Sequence, residues 1–210
     1  MMLAATAIFY SIVLGGCGNM PQKSSVAQPF QAAHPIFIGV DRSESTVNFR
    51  AQMLDQLDLT ADIAADQKTT LEVWAFDRLP LQLYRGTPSA HDDLRDVKRA
   101  ELAPDANHPR NITRPALLLE SWIKERQIHP LLNTYAIMLT DGDSEVDTDQ
   151  PRLKSAMITL GKDPGFHLAV VGIKPNNRKL WDGYLAIAMP GRYMLADEQN
   201  GQSDLAHFLH

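Results

Sequence analysis

Two short segments gather oxygen-bearing side chains directly after apolar runs. Asp41-Arg42-Ser43-Glu44-Ser45 follows the run 36–40 (IFIGV), and Thr140-Asp141-Gly142-Asp143 follows 134–139 (TYAIML). Alternate residues of an extended chain point the same way, so Asp41, Ser43 and Ser45 can converge. A hard divalent cation such as Mg²⁺ takes an octahedron of oxygens at about 2.1 Å and keeps several waters among them. Hydroxyls together with carboxylates, acting directly or through water, meet that demand.

Such groups converge only if the apolar runs are neighbouring strands. The sequence reads as strands at 35–40, 71–77, 81–84, 134–140, 166–173 and 192–196. Helices are expected over 46–65, 115–126, 152–160, 178–187 and 203–209. The first of these carries Val47, Ala51, Leu54, Leu57 and Ala61 at helical spacing, and the second has Pro115 in its first turn. The polar stretch 86–110 is expected to hold one short helix around 92–102. Alternation of this kind predicts an α/β fold, an open, mostly parallel sheet with helices on both faces. In such sheets ligands gather beyond the carboxyl ends of the strands, where the crossovers diverge. Trp74, Phe76 and Trp122 lie inside apolar runs and read as core.

Here the residues reach a family. Asp41-x-Ser43-x-Ser45, with a later strand ending in Thr140-Asp141-Gly142, resembles the von Willebrand factor A (VWA) domain with its metal-ion-dependent adhesion site. The resemblance spans 34–210 and implies a Rossmann-like sheet. It also implies that Ser43 and Ser45 ligate Mg²⁺ (or Mn²⁺) directly, while Asp41 and Asp141 act mainly through water. A Thr from an intervening loop completes the family's set. The family's Gly-Thr stands here as Ile112-Thr113, without the Gly, so Thr113 is the candidate and Asn111 the alternative. The family's role is binding, which makes a module that engages a protein partner through its metal the leading expectation. With three hydroxyls inside and carboxylates outside, the inner shell is neutral, so the partner is expected to supply an Asp or Glu carboxylate. A rival reading is a Mg²⁺-dependent phosphatase using Asp41 as nucleophile. It resembles the haloacid dehalogenase group, but Ser43 replaces the second Asp of that motif, the acid for the leaving group. A third is a scaffold that has lost its site.

The serines and Thr113 have ordinary alternatives as helix caps, and Asp141-Gly142 as a turn. The series Asp141, Asp143, Glu145, Asp147 and Asp149 is not an EF-hand, because Val146 and Arg152 stand where Gly and Glu are required. It reads as a solvated acidic loop that repels anions. No His-Glu-x-x-His, Gly-x-Ser-x-Gly or Gly-x4-Gly-Lys pattern is present.

The first 17 residues carry no charged side chain and end in Leu14-Gly15-Gly16-Cys17. The run is too short to span a bilayer and fits a secretory signal. Its end resembles the bacterial lipobox, which implies diacylglycerol on Cys17 and export to a bacterial membrane, on the periplasmic or cell-surface side. On this reading 1–17 is a signal, 18–33 a flexible tether rich in Gln, Ser, Pro and Ala, and 34–210 the domain. The single cysteine excludes an internal disulfide framework. A net charge of -5, with no dense run of Lys and Arg, argues against a nucleic-acid partner.

Overall fold

Residues that alternate along the apolar runs go to opposite faces of one sheet. In β1 (Ile36–Asp41), Ile36, Ile38 and Val40 enter one core, while Phe37 enters the other. The same division holds in β4 (Thr134–Leu139), where Ile137 and Leu139 face one way and Ala136 and Met138 the other. Burial on both faces is why these runs lack a polar alternation. The remaining strands are β2 (Leu71–Phe76), β3 (Pro80–Gly86), β5 (Phe166–Val171) and β6 (Tyr193–Ala196). The computed structural model describes residues 34–97, 112–128, 133–143 and 149–209. The expected signal, Cys17, the tether, Asn111, Glu145 and Asp147 lie outside the described residues, as does much of the expected helix at 92–102.

Strand order is β3-β2-β1-β4-β5-β6, with only β3 antiparallel to its neighbour. The chain leaves β1 toward β2 on one side and returns to β4 on the other. The crevice between the carboxyl ends of β1 and β4 is therefore the point where the crossovers diverge. Helices α1 (Arg50–Asp66) and α5 (Gly201–Leu209) contribute to the core on one face. On the other face lie α2 (Pro115–Ile128), α3 (Asp149–Gly161) and α4 (Pro175–Ala188). Trp122 and Phe76 are fully buried and Trp74 nearly so, as core.

The first helix departs from expectation. A 3-10 turn (Glu44–Phe49) precedes α1, and its tighter winding rotates the following face. Val47 and Ala51, expected inside, are exposed, and Leu54 is half-buried. Met53, Leu57, Ala61 and Ala64 are among the residues that α1 buries completely or nearly so.

Gly39 sets how closely α2 lies on β1. A Cβ there would stand 2.3 Å from Leu118 Cδ2 and 3.2 Å from Trp122 Cζ2. A side chain at this position would have to push Leu118 and Trp122 of α2 away from the strand. The Arg114 N–H donates to the Asp77 carbonyl at 3.0 Å, fixing the segment before Pro115 beside the end of β2.

Candidate functional site

Asp41 ends β1 inside the crevice with no exposed surface. Its Oδ1 accepts the Ser43 N–H at 2.8 Å, and its Oδ2 accepts the Thr140 hydroxyl at 2.7 Å. That second bond ties the ends of β1 and β4 together. Burial pushes the Asp41 carboxyl up to about 6, against the lowering effect of the Ser43 and Thr140 hydrogen bonds, and the nearby Asp141 adds to the rise.

The loop after Asp41 is held from behind. Thr46 Oγ1 lies 2.9 Å from the Ser43 carbonyl and 3.2 Å from that of Asp41, within donating distance of both. Arg50 donates to the Ser43 carbonyl at 3.0 Å and to Thr46 Oγ1 at 2.8 Å. Ser43 and Ser45 are thus positioned without using their own side chains as caps. Ser43 occupies the N-cap of the 3-10 turn but makes no side-chain capping bond. Instead, the Ser43 and Ser45 hydroxyls stand 3.0 Å apart. Adjacent ligands of an octahedron with ~2.1 Å bonds are also separated by about 3 Å.

Thr113 is fully buried, and its hydroxyl finds no hydrogen-bond partner among the described residues. A buried hydroxyl without a partner carries a desolvation cost that nothing among the described residues offsets, and a bound cation would remove it. The cap role open to Thr113 is not used either. Among the described residues no three His, Cys, Asp or Glu side chains form a metal-ligating group. A site here depends on hydroxyl oxygens.

Asp141 is also completely buried. Its Oδ1 accepts the Asp143 N–H at 3.0 Å, and its Oδ2 accepts Lys174 Nζ at 2.7 Å. Lys174 also reaches Asp143 Oδ2 at 2.9 Å, and Asn177 donates to Asp143 Oδ1 at 2.6 Å. Burial alone would raise the Asp143 carboxyl, but the Asn177 and Lys174 bonds hold it below its ordinary value. Burial alone would lower Lys174, and the two carboxylates hold it above its own. Gly142 adopts a φ of 79°, and its carbonyl accepts Trp181 Nε1 at 3.0 Å. The chain bends here through the positive φ of Gly142, and Asp141 lies buried beside it.

The expectation of a solvated acidic loop needs correction. Asp149 is nearly inaccessible and receives both Arg114 Nε and Nη2 at 2.9 Å. Asp141 and Asp143 share Lys174. The described carboxylates of this loop, Asp141, Asp143 and Asp149, are therefore paired rather than bare. Lys174, Asn177, Thr46 and Arg50 were not singled out from sequence. Lys174 follows the apolar run 166–173 directly, so the strand-end rule that marked Asp41 and Asp141 also reaches it.

The structure gathers Asp41, Ser43, Ser45, Thr140 and Asp141 at the ends of β1 and β4, and Thr113 lies on the buried segment leading into α2. This architecture is a VWA-like fold, and comparison with solved structures agrees. The chain matches a von Willebrand factor type A structure from Catenulispora acidiphila at TM-score 0.57 and 19% identity, over 84% of this chain and 42% of that one. It matches an aerotolerance-related membrane protein from Bacteroides fragilis at 0.59 and 11%, over 83% and 96%. Manganese-loaded TRAP protein from Plasmodium vivax matches at 0.57 and 16%, over 84% and 73%. The chain thus spans less than half of the Catenulispora chain. No family model and no curated protein matches the sequence.

Proposed function

We infer that this domain is a binding module that engages a protein partner through a divalent cation, Mg²⁺ or Mn²⁺. The observation that carries the reading is the hydroxyl set. Ser43 and Ser45 meet at 3.0 Å with neither hydroxyl spent on a cap, and Thr113 is buried with its hydroxyl unpaired among the described residues. These three would hold the ion, and Asp41 and Asp141 would serve it through water. The bound ion supplies a Lewis-acidic position for an anionic oxygen. The VWA-like fold and the manganese-loaded neighbour support the class of site.

The partner's contribution is then an Asp or Glu carboxylate, because an ion held by neutral hydroxyls retains uncompensated charge. Lipidation at Cys17 would tether the module to a bacterial membrane through 18–33, facing the periplasm or the cell surface. Among the described residues no feature favours the phosphatase reading. Both Asp41 oxygens are engaged in hydrogen bonds, and Ser43 stands where the leaving-group acid would be.

Thermal unfolding with and without metal tests the reading. At metal near 100 times Kd, stability should rise by about 2.7 kcal/mol. Asp41→Ala should abolish the rise, and Ser43→Ala, Ser45→Ala and Thr113→Ala should each reduce it. An unchanged melting curve in millimolar Mg²⁺, for protein stripped of metal beforehand, would overturn the site. Pull-down in chelator against Mn²⁺ tests the partner, and intact-mass analysis of membrane-extracted protein tests acylated Cys17.

A further inference from the structure

The position opposite Asp141 already holds a cation. Lys174 Nζ lies 2.7 Å from Asp141 Oδ2, on a carboxylate with no exposed surface, while Asp141 Oδ1 is engaged by the Asp143 N–H. The Lys174 side chain itself is 45% exposed, and its second contact, Asp143, is 37% exposed. One end of this three-membered cluster is therefore inside the crevice and the other is at the surface. Lys174 is fixed at its backbone, where its N–H donates to the Asp141 carbonyl at 2.9 Å. Only the long side chain is free to change partners.

We propose that the Lys174 ammonium is the resident counter-ion of Asp141, and that a divalent ion binds only by displacing it, so Lys174 sets the metal affinity of the site. The inference rests on the metal reading given above. A water joining Asp141 to a metal must share Oδ2 with the ammonium or take its place. Two cations held a few ångströms apart around one buried carboxylate repel each other, and water screens them poorly there. Asp143 gives the ammonium somewhere to go: it keeps one ion pair while surrendering Asp141. In the metal-free protein Lys174 neutralises a buried charge that would otherwise be costly. The same contact opposes loading, so occupancy responds to metal concentration rather than being permanent.

Mn²⁺ titration of metal-stripped protein, followed by the loss of the free-ion resonance, reads this directly. Lys174→Met should bind Mn²⁺ about tenfold tighter than wild type, as expected for removing a unit charge beside a divalent ion. Lys174→Arg, which keeps the charge, should bind as wild type does. A second measurement needs no variant: acetylation of Lys174, quantified by mass spectrometry, should speed up several-fold when Mn²⁺ is added. Wild type that binds Mn²⁺, with Lys174→Met binding no tighter and acetylation unchanged, overturns the role of Lys174 and leaves the metal site standing. Absence of Mn²⁺ binding in both wild type and Lys174→Met overturns the metal reading and this inference together.

Discussion

At the amino end of the sheet, long side chains bind open backbone carbonyls and one another. Arg192 donates to the Gly161 carbonyl at 2.8 Å and to that of Phe166 at 3.0 Å. Arg126 pairs with Asp163 and donates to the buried Thr134 hydroxyl at 2.9 Å. Tyr135 stacks on His167 at 5.0 Å and meets Phe208 edge-on at 5.5 Å. The carboxyl end is built from the same kinds of residue to the opposite effect. There Asp41 is buried at a cost to its ionised form, and the Thr113 hydroxyl is left unpaired among the described residues. One end of the sheet is optimised for stability, and the other holds polar groups in place that stability alone does not require.

The largest expected effect lies in pH. Unfolded, Asp41 loses its proton near 3.8; folded, it does so near 6. Between these values the folded state binds the extra proton, so this residue's contribution falls as pH rises and is flat above about 6. Metal-free Asp41→Asn should lack that fall. By pH 7 it should be more stable than wild type by up to about 3 kcal/mol, while the two proteins converge toward pH 4. Urea unfolding across pH measures the difference. A wild type that matches Asp41→Asn at every pH would erase the contrast between the two ends.

Arg192→Ala should break the closed end. Losing a charged donor shared by several carbonyls is expected to cost about 2 kcal/mol, leaving the stabilisation by Mg²⁺ intact. If the metal response disappeared as well, the two ends would not be independent.

A matched pair of threonines sharpens the comparison further. Thr134→Val removes the acceptor of Arg126 and should destabilise by about 1 kcal/mol. Thr113→Val removes a hydroxyl that has no partner among the described residues, so the metal-free protein should gain stability by about 1 kcal/mol. Equal losses in both variants would show that Thr113 is satisfied after all. The smallest effect is expected for Ser45→Ala. This half-buried residue should change metal-free stability by less than about 0.5 kcal/mol, as judged by chemical denaturation, while still weakening the metal response.

Much of the fold could be read from local pattern. Apolar runs of strand length, bounded by Asp, Gly and Pro, marked the strands, and the alternation with helices predicted the open parallel sheet. The Asp-x-Ser-x-Ser and Thr-Asp-Gly segments were visible because each directly follows such a run. Local pattern was right for Leu57 and Ala61 of α1 but misplaced Val47 and Ala51, because nothing in their spacing announces the 3-10 turn that precedes the helix. It also misread Asp149 as solvated, since its partner Arg114 lies 35 residues away.

By itself the sequence determined which residue types stand at the strand ends, because side-chain period and strand length are local properties of the chain. Only the tertiary structure decided which of them are satisfied. The Thr140 hydroxyl reaches Asp41 across 99 positions, and Lys174 reaches Asp141 across 33. Thr113 finds no partner among the described residues, although a lone Thr before Pro115 reads as a helix cap. Hydrogen bonding and desolvation depend on what the fold packs around each group, and residues this distant in sequence meet only once the sheet has assembled.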